Sequence, residues 1–101
     1  MEGMSIAEII LSLFGQGRAV LGSWPERGVL SDAFAVFEEM GAKKCGEYGS
    51  PAGEIEVFLF RLNGRRLRLC VDEYGAIRLF GPKRMVTELA AKVSEHRRAA
   101  I

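Results

Sequence analysis

The stretch EIEVFLFRLNGRRLRLCVDEYGAIRLF, residues 54–80, decides the fold of this 101-residue chain. Two runs rich in apolar and β-branched residues, 54–62 and 65–72, flank the dipeptide Asn63-Gly64. Both residues of that dipeptide tolerate the positive φ angles of a type I′ turn, so the pattern predicts a two-residue β-hairpin. Phe60 should then face Leu67 across the two strands. One face of the hairpin is apolar and consists of Phe58, Phe60, Leu62, Leu67, Leu69 and Val71.

A second hairpin follows, and the length of its loop decides where an arginine points. A two-residue loop would place Arg78 on the apolar face, whereas a three-residue loop with Gly75 in a bulge places Ile77 and Leu79 there. We favour the bulge because it buries no unpaired charge. The opposite face then combines cationic and apolar side chains: Arg61, Arg66, Arg68 and Arg78 with Ile55, Val57, Leu59 and Phe80.

Helices are predicted on both sides of these strands. Ser5 and Glu8 form a capping box for a helix that starts at Ile6. A second helix should have Ser31 as its N-cap and end at Gly41, and a third should start at Gly81-Pro82 and fray from Glu95. Residues 18–24 are interpreted as a loop, and residues 42–48 are a candidate for one further short strand.

These elements predict an α+β fold made of one domain, residues 1–101. The sheet is an antiparallel meander of three to four strands, with two N-terminal helices and one C-terminal helix. The helices should cover the apolar face of the sheet and leave the opposite face partly open.

Composition excludes several classes of function. The formal net charge is +1, so attraction to a polyanion requires local clustering of cations. Such clustering exists, because seven basic residues lie between Arg61 and Arg84 against only two acidic residues. Two cysteines with no paired spacing and one histidine do not supply a zinc site, and no cofactor or metal is expected.

The same composition bears on location and source. The apolar run over residues 6–14 is too short to span a bilayer, so we expect a cytoplasmic protein with reduced thiols and no membrane partner. Eleven Glu with a single Asn and a single Gln are typical of a thermophile, although a GC-rich mesophile would also explain the abundance of Arg, Gly and Ala.

No residue pattern indicates catalysis, and we expect no enzyme. His96 lies near the predicted end of a helix without a nucleophile beside it. Gly15-Gln16-Gly17-Arg18 begins like a dinucleotide-binding fingerprint but follows a helix rather than a strand.

The mixed sheet face therefore carries the functional hypothesis. Phosphates of a single-stranded nucleic acid would satisfy the arginines while bases stack on Phe80. The candidate binding residues are Arg61, Arg66, Arg68, Arg78, Phe80, Lys83 and Arg84. The alternative is a protein interaction module, a dimerising adaptor or an inhibitor, that uses the same face.

Over residues 31–93 the chain resembles ThermoDBP, a family of small single-strand-binding proteins of thermophilic archaea. The resemblance is one of pattern: an antiparallel sheet backed by helices, with an apolar strip edged by the same basic residues. It implies sequence-independent binding of single-stranded DNA or RNA, and self-association into a homo-oligomer.

Overall fold

The computed structural model describes residues 16–23 and 28–99, which form a five-stranded antiparallel sheet with two helices packed on one of its faces. The elements in chain order are β1 (Gln16–Ser23), α1 (Val29–Glu39), β2 (Lys43–Gly49), β3 (Glu56–Leu62), β4 (Arg65–Val71), β5 (Ala76–Pro82) and α2 (Lys83–Ala99). The strand order is β1-β5-β4-β3-β2. Strands β2 to β5 are thus a meander, and β1 adds to it beside β5.

The α+β class with an antiparallel meander is observed, but the predicted count of elements is wrong. The sheet has five strands rather than three or four, because β1 occupies the region interpreted as a loop. Strand β1 pairs with β5 from Gln16↔Pro82 to Ser23↔Ala76, with an irregularity between Val20 and Gly22. Its sequence is a weak strand former, and the pairing partner lies about 60 residues away, so only the tertiary fold supplies the ladder.

The predicted pair of N-terminal helices is also not observed: the described part of the chain contains α1 and α2 only. The helix expected from Ile6 falls outside the described residues. Neither described helix is long and apolar enough to cross a membrane.

Both hairpins are confirmed in register. Asn63 and Gly64 have φ angles of 51° and 75°, as a type I′ turn requires, and Phe60 lies opposite Leu67. Gly75 has a φ of 84°, and the Asp72 amide donates to the Ala76 carbonyl oxygen at 3.0 Å. The three-residue loop therefore puts the side chains of the following strand on the predicted faces.

The start of α1 differs from the prediction. The helix begins at Val29, with Gly28 rather than Ser31 as the N-cap residue. Gly28 has a φ of 82°, and the Ser31 hydroxyl donates to the Gly28 carbonyl oxygen at 3.4 Å. The glycine allows the chain to enter the helix from a left-handed conformation, so the serine acts inside the first turn.

The end of α1 agrees with the prediction. Gly41 has a φ of 89°, its amide donates to the Glu38 carbonyl oxygen, and the Ala42 amide donates to the Phe37 carbonyl oxygen at 2.8 Å. This is a Schellman motif, in which glycine permits the left-handed residue that ends the helix. The chain then enters β2 directly, which confirms the further short strand expected over residues 42–48.

Both ends of α2 differ from the prediction. Pro82 pairs with Gln16 as the last residue of β5, so the helix starts one residue later. The helix continues to Ala99 instead of fraying from Glu95. Asp32 in the first turn of α1 explains part of this difference, since it accepts a hydrogen bond from Arg97 at 3.2 Å and lies 3.4 Å from His96 Nε2. The contact anchors the last turns of α2.

The hydrophobic core fills the space between the helices and one face of the sheet. Phe37 of α1 is fully buried and meets Phe60 of β3 edge to face, with ring centroids 4.9 Å apart. The predicted apolar positions of α2 divide into two groups, because Val86, Leu89 and Val93 are buried while Met85 and Ala90 are half-buried. The other core residues of the sheet and of α1 are Val29, Ala33, Val36, Ala42, Phe58, Leu62, Leu67, Leu69, Ile77 and Leu79.

Replacing Gly75 tests the bulge that sets the faces of β5. A β-branched residue is strained at a φ of 84°, so Gly75→Val should lower the free energy of unfolding by about 2 kcal/mol. Asparagine tolerates this region, so Gly75→Asn should lose less than about 1 kcal/mol. Urea denaturation of both variants measures the difference. Equal losses would contradict the assigned backbone conformation.

Candidate nucleic-acid interface

The side of the sheet opposite the two helices is uncovered in the described part of the chain, and we call it the open face. Residues directly paired across strands share a face, so the registers assign its members. From β1 to β5 they are Arg18, Val20, Lys43, Gly46, Tyr48, Val57, Leu59, Arg61, Arg66, Arg68, Cys70, Arg78 and Phe80.

These side chains lie in three rows that run across the strands. The first, which we call the cationic row, joins Lys43, Arg61 and Arg66 next to the Asn63-Gly64 turn. The second, the middle row, joins Arg18, Phe80, Arg68, Leu59 and Gly46. The third, the apolar row, joins Val20, Arg78, Cys70, Val57 and Tyr48. Positive charge thus decreases from the turn toward the opposite end of the strands.

The cationic row concentrates positive charge at one end of the open face. Arg61 lies directly opposite Arg66 on the adjacent strand, and both are exposed. No carboxylate within residues 16–23 and 28–99 forms an ion pair with either guanidinium. Like charges on directly opposite residues repel each other, so an anion bound between them would stabilise the arrangement.

Carboxylates of the described strands are kept away from this face by register. Glu47 pairs with Phe58, and Glu56 pairs with Val71, and both of these partners face the helices. Most cations of the described strands lie on the open face, whereas Lys44 and Arg65 pair with Phe60 and Leu62 and share the opposite face.

The middle row contains a stacked pair. The Arg68 guanidinium carbon lies over the Phe80 ring, 5.2 Å from its centroid. Phe80 is half-buried, whereas Arg68 is exposed. The arginine therefore forms the outer layer of the pair, and Leu59 lies on its other side on β3.

The apolar row contains an arginine that is bound to an acid. Arg78 donates a hydrogen bond to Asp72 Oδ2, and Asp72 Oδ1 accepts from the amides of Tyr74 at 2.9 Å and Ala76 at 3.0 Å. The bond from Arg78, followed by those from the two amides, lowers the pKa of the Asp72 carboxyl below its ordinary value. Arg78 is thus largely neutralised within the chain.

Cys70 lies between Arg68 and Arg78 but is not activated by them. Burial raises the pKa of its thiol above the ordinary value, although the two positive charges act in the opposite direction. The thiol is therefore protonated at neutral pH, and a thiolate nucleophile is not formed. The neighbouring Val57 side chain is only 7% exposed, although it does not belong to the core between the sheet and the helices.

The structure brings together five of the seven predicted binding residues: Arg61, Arg66, Arg68, Arg78 and Phe80 share the open face. Lys83 is the first residue of α2, beside Gly17 of β1. Arg84 lines a groove on the helix side together with Met40 and Met85, so it does not extend the open face.

Sequence reasoning missed four side chains of this face. Arg18 and Val20 lie on β1, and Lys43 and Tyr48 lie on β2. Ala19, Val20 and Leu21 are all apolar, so β1 lacks the alternation of polar and apolar residues that indicates a strand. Strand β2 gave little signal because both of its faces are largely exposed.

Comparison with known protein families, curated proteins and solved structures finds no match to this chain. The resemblance to ThermoDBP stays a prediction. Within the described ranges no group of three or more His, Cys, Asp or Glu side chains is arranged to hold a metal ion.

Acidification should reveal the contribution of Asp72 to stability. Its folded-state pKa is lowered, so the stabilisation is present above the ordinary carboxyl pKa of about 3.9 and is lost as pH falls through the lower folded value. Asp72→Asn keeps an oxygen for the two amides but loses the charge. We expect the variant to melt at a lower temperature than the parent at pH 7, with a smaller gap at an acidic pH below the ordinary carboxyl pKa of about 3.9.

Thermal denaturation at both pH values measures this gap. Glu73→Gln serves as the control, since Glu73 is exposed in the same turn and forms no ion pair among the described residues. A gap for Asp72→Asn that is equally large at both pH values would contradict the charge-based explanation.

Proposed function

We propose that this protein binds single-stranded nucleic acid through the open face and performs no chemistry on it. The observation that carries the proposal is the juxtaposition of arginines, of which Arg61 and Arg66 form no ion pair with the described acids, with apolar and aromatic side chains on neighbouring strands. Phosphates would lie against the cationic row, and bases would lie over the middle and apolar rows.

Electrostatics supports a polyanion as the partner. Adjacent strands are about 4.8 Å apart, so the cations of Lys43, Arg61 and Arg66 are close enough for one phosphodiester chain to contact them in succession. Each contact would release condensed counterions, which supplies most of the affinity of sequence-independent binding.

The shape of the face supports a single strand rather than a duplex. Reading a duplex requires an element that enters a groove, usually a helix or a two-stranded ribbon. The open face is the surface of a five-stranded sheet, whose exposed arginines and half-buried Phe80 offer stacking surfaces to unpaired bases. Paired bases inside a duplex do not reach such a surface.

The same charges disfavour one form of the alternative function. A second copy stacked face to face with its Asn63-Gly64 turn over the same turn of the first would oppose the two cationic rows, and like charges across an interface cost free energy. An acidic protein partner would not have this problem. Val20 and Tyr48, which are 64% and 56% exposed, favour contact with a protein. These large apolar side chains lie at opposite edges of the sheet and extend the apolar area available for binding.

Fluorescence anisotropy with a labelled oligonucleotide tests the proposal. We expect binding at low salt and a slope of log affinity against log salt of about −2, because the three cations of the cationic row, Lys43, Arg61 and Arg66, each neutralise one phosphate at about −0.7 per contact. A duplex of equal length should bind more weakly under the same conditions. No binding at micromolar protein and low salt would contradict the proposal and leave an acidic protein as the partner.

A further inference from the structure

We infer that the guanidinium of Arg68, held in place by Phe80, is the surface on which a base stacks, and that Phe80 does not contact the base itself. The inference rests on the proposed function and assigns the kind of contact that the middle row makes. It changes the role predicted for Phe80 from platform to support.

The layering of the two side chains carries this inference. The Arg68 guanidinium lies over the Phe80 ring at 5.2 Å, so the ring face below it is covered. Arg68 is exposed and Phe80 is half-buried, which places the guanidinium between the ring and solvent. A base arriving from solvent therefore meets Arg68 first.

The chemistry of the guanidinium fits this role. It is planar, weakly hydrated and able to stack on π systems through either face. With one face on Phe80, the guanidinium can offer its other face to a base. The ring beneath already restricts the conformations of the long side chain, so less conformational entropy is lost when a base binds. Every base has a π face, so such a contact is tolerant of sequence but requires an unpaired base.

Arg66 provides a matched comparison on the same strand. It is an exposed open-face arginine two residues away, and the described structure places no aromatic ring beneath it. We assign it to the phosphate backbone, where a point charge is sufficient. Replacing Arg66 by lysine should therefore affect normal and abasic strands equally, whereas at position 68 it should selectively weaken binding to normal bases, because an ammonium group has no planar surface.

Anisotropy titrations with two oligonucleotides of equal length and charge test the assignment, one with normal bases and one abasic throughout. We expect Arg68→Lys to weaken binding of the normal oligonucleotide about tenfold while leaving the salt slope and the affinity for the abasic oligonucleotide unchanged. Arg66→Lys should change the affinity for both oligonucleotides by the same factor, because it alters a phosphate contact that both share. Phe80→Leu, which removes the ring and keeps an apolar side chain, should reproduce the loss seen with Arg68→Lys.

Three results would overturn the inference while leaving the proposed function intact. Arg68→Lys could leave the affinity for both oligonucleotides unchanged, weaken both equally, or behave like Arg66→Lys, and each of these results excludes the stacking role. A parent protein that binds neither oligonucleotide would instead overturn the proposed function. Circular dichroism of each variant confirms that the fold is retained before titration.

Discussion

Single-stranded DNA binding should fall at least about a hundredfold at low salt when Arg66 and Arg68 are both replaced by glutamate. The change removes two phosphate or base contacts and adds two negative charges beside Arg61 in the centre of the open face. Loss of one stacked base alone is worth about 1–3 kcal/mol, and the phosphate contact adds to it. Both residues are exposed, so the fold should survive, and circular dichroism checks this.

A matched control separates local contact from overall charge. Lys92 and Arg98 are exposed residues of α2, on the side of the molecule away from the open face. Replacing both by glutamate changes the net charge by the same amount, from the formal +1 to −3. Binding should fall far less, and anisotropy titrations at one salt concentration compare the two double variants. Equal losses would show that binding depends on net charge and not on this face.

The largest effect on stability should come from Phe37→Ala. The Phe37 side chain is fully buried in the core and packs edge to face against Phe60, so its truncation leaves a cavity as well as losing burial. Such changes cost about 3–5 kcal/mol, out of a total of about 5–15 kcal/mol for a domain. The variant should therefore be close to unfolding at moderate temperature. Urea denaturation with the parent protein as reference measures the loss.

Phe80→Ala is the matched comparison on the other side of the sheet. Phe80 is half-buried beneath Arg68 and lies outside the core, so its truncation should cost about 1 kcal/mol of stability. It should nevertheless impair nucleic-acid binding. A Phe80→Ala variant as unstable as Phe37→Ala would show that the open face is part of the folding core, and would weaken its assignment as a binding surface.

The local parts of the fold were predictable because short-range rules govern them. Asn63-Gly64 and Gly75 adopt positive φ angles that few other residues tolerate, so the turns set the register of three consecutive strands. Register, in turn, decides which side chains share a face. The grouping of five candidate residues, including Arg68 and Phe80, followed from these turns alone.

The parts that depend on distant contacts were not predictable. Strand β1 exists through its ladder with β5, and the last turns of α2 are anchored by Asp32 of α1. Neither contact leaves a local pattern in the sequence. For the same reason the Arg18 and Val20 positions, at the far edge of the open face, were not recognised as members of the site.

The amino-acid sequence by itself determined the two hairpins, the apolar side of the central strands and the outward direction of Arg61, Arg66, Arg68 and Arg78, because turn geometry and side-chain alternation act within a few residues. Only the tertiary structure decided that the sheet has five strands, that Asp72 neutralises Arg78 and that Arg68 covers Phe80. The fifth strand depends on pairing between segments distant along the chain, and the two arginine contacts depend on side-chain conformation. A periodic pattern specifies neither of these.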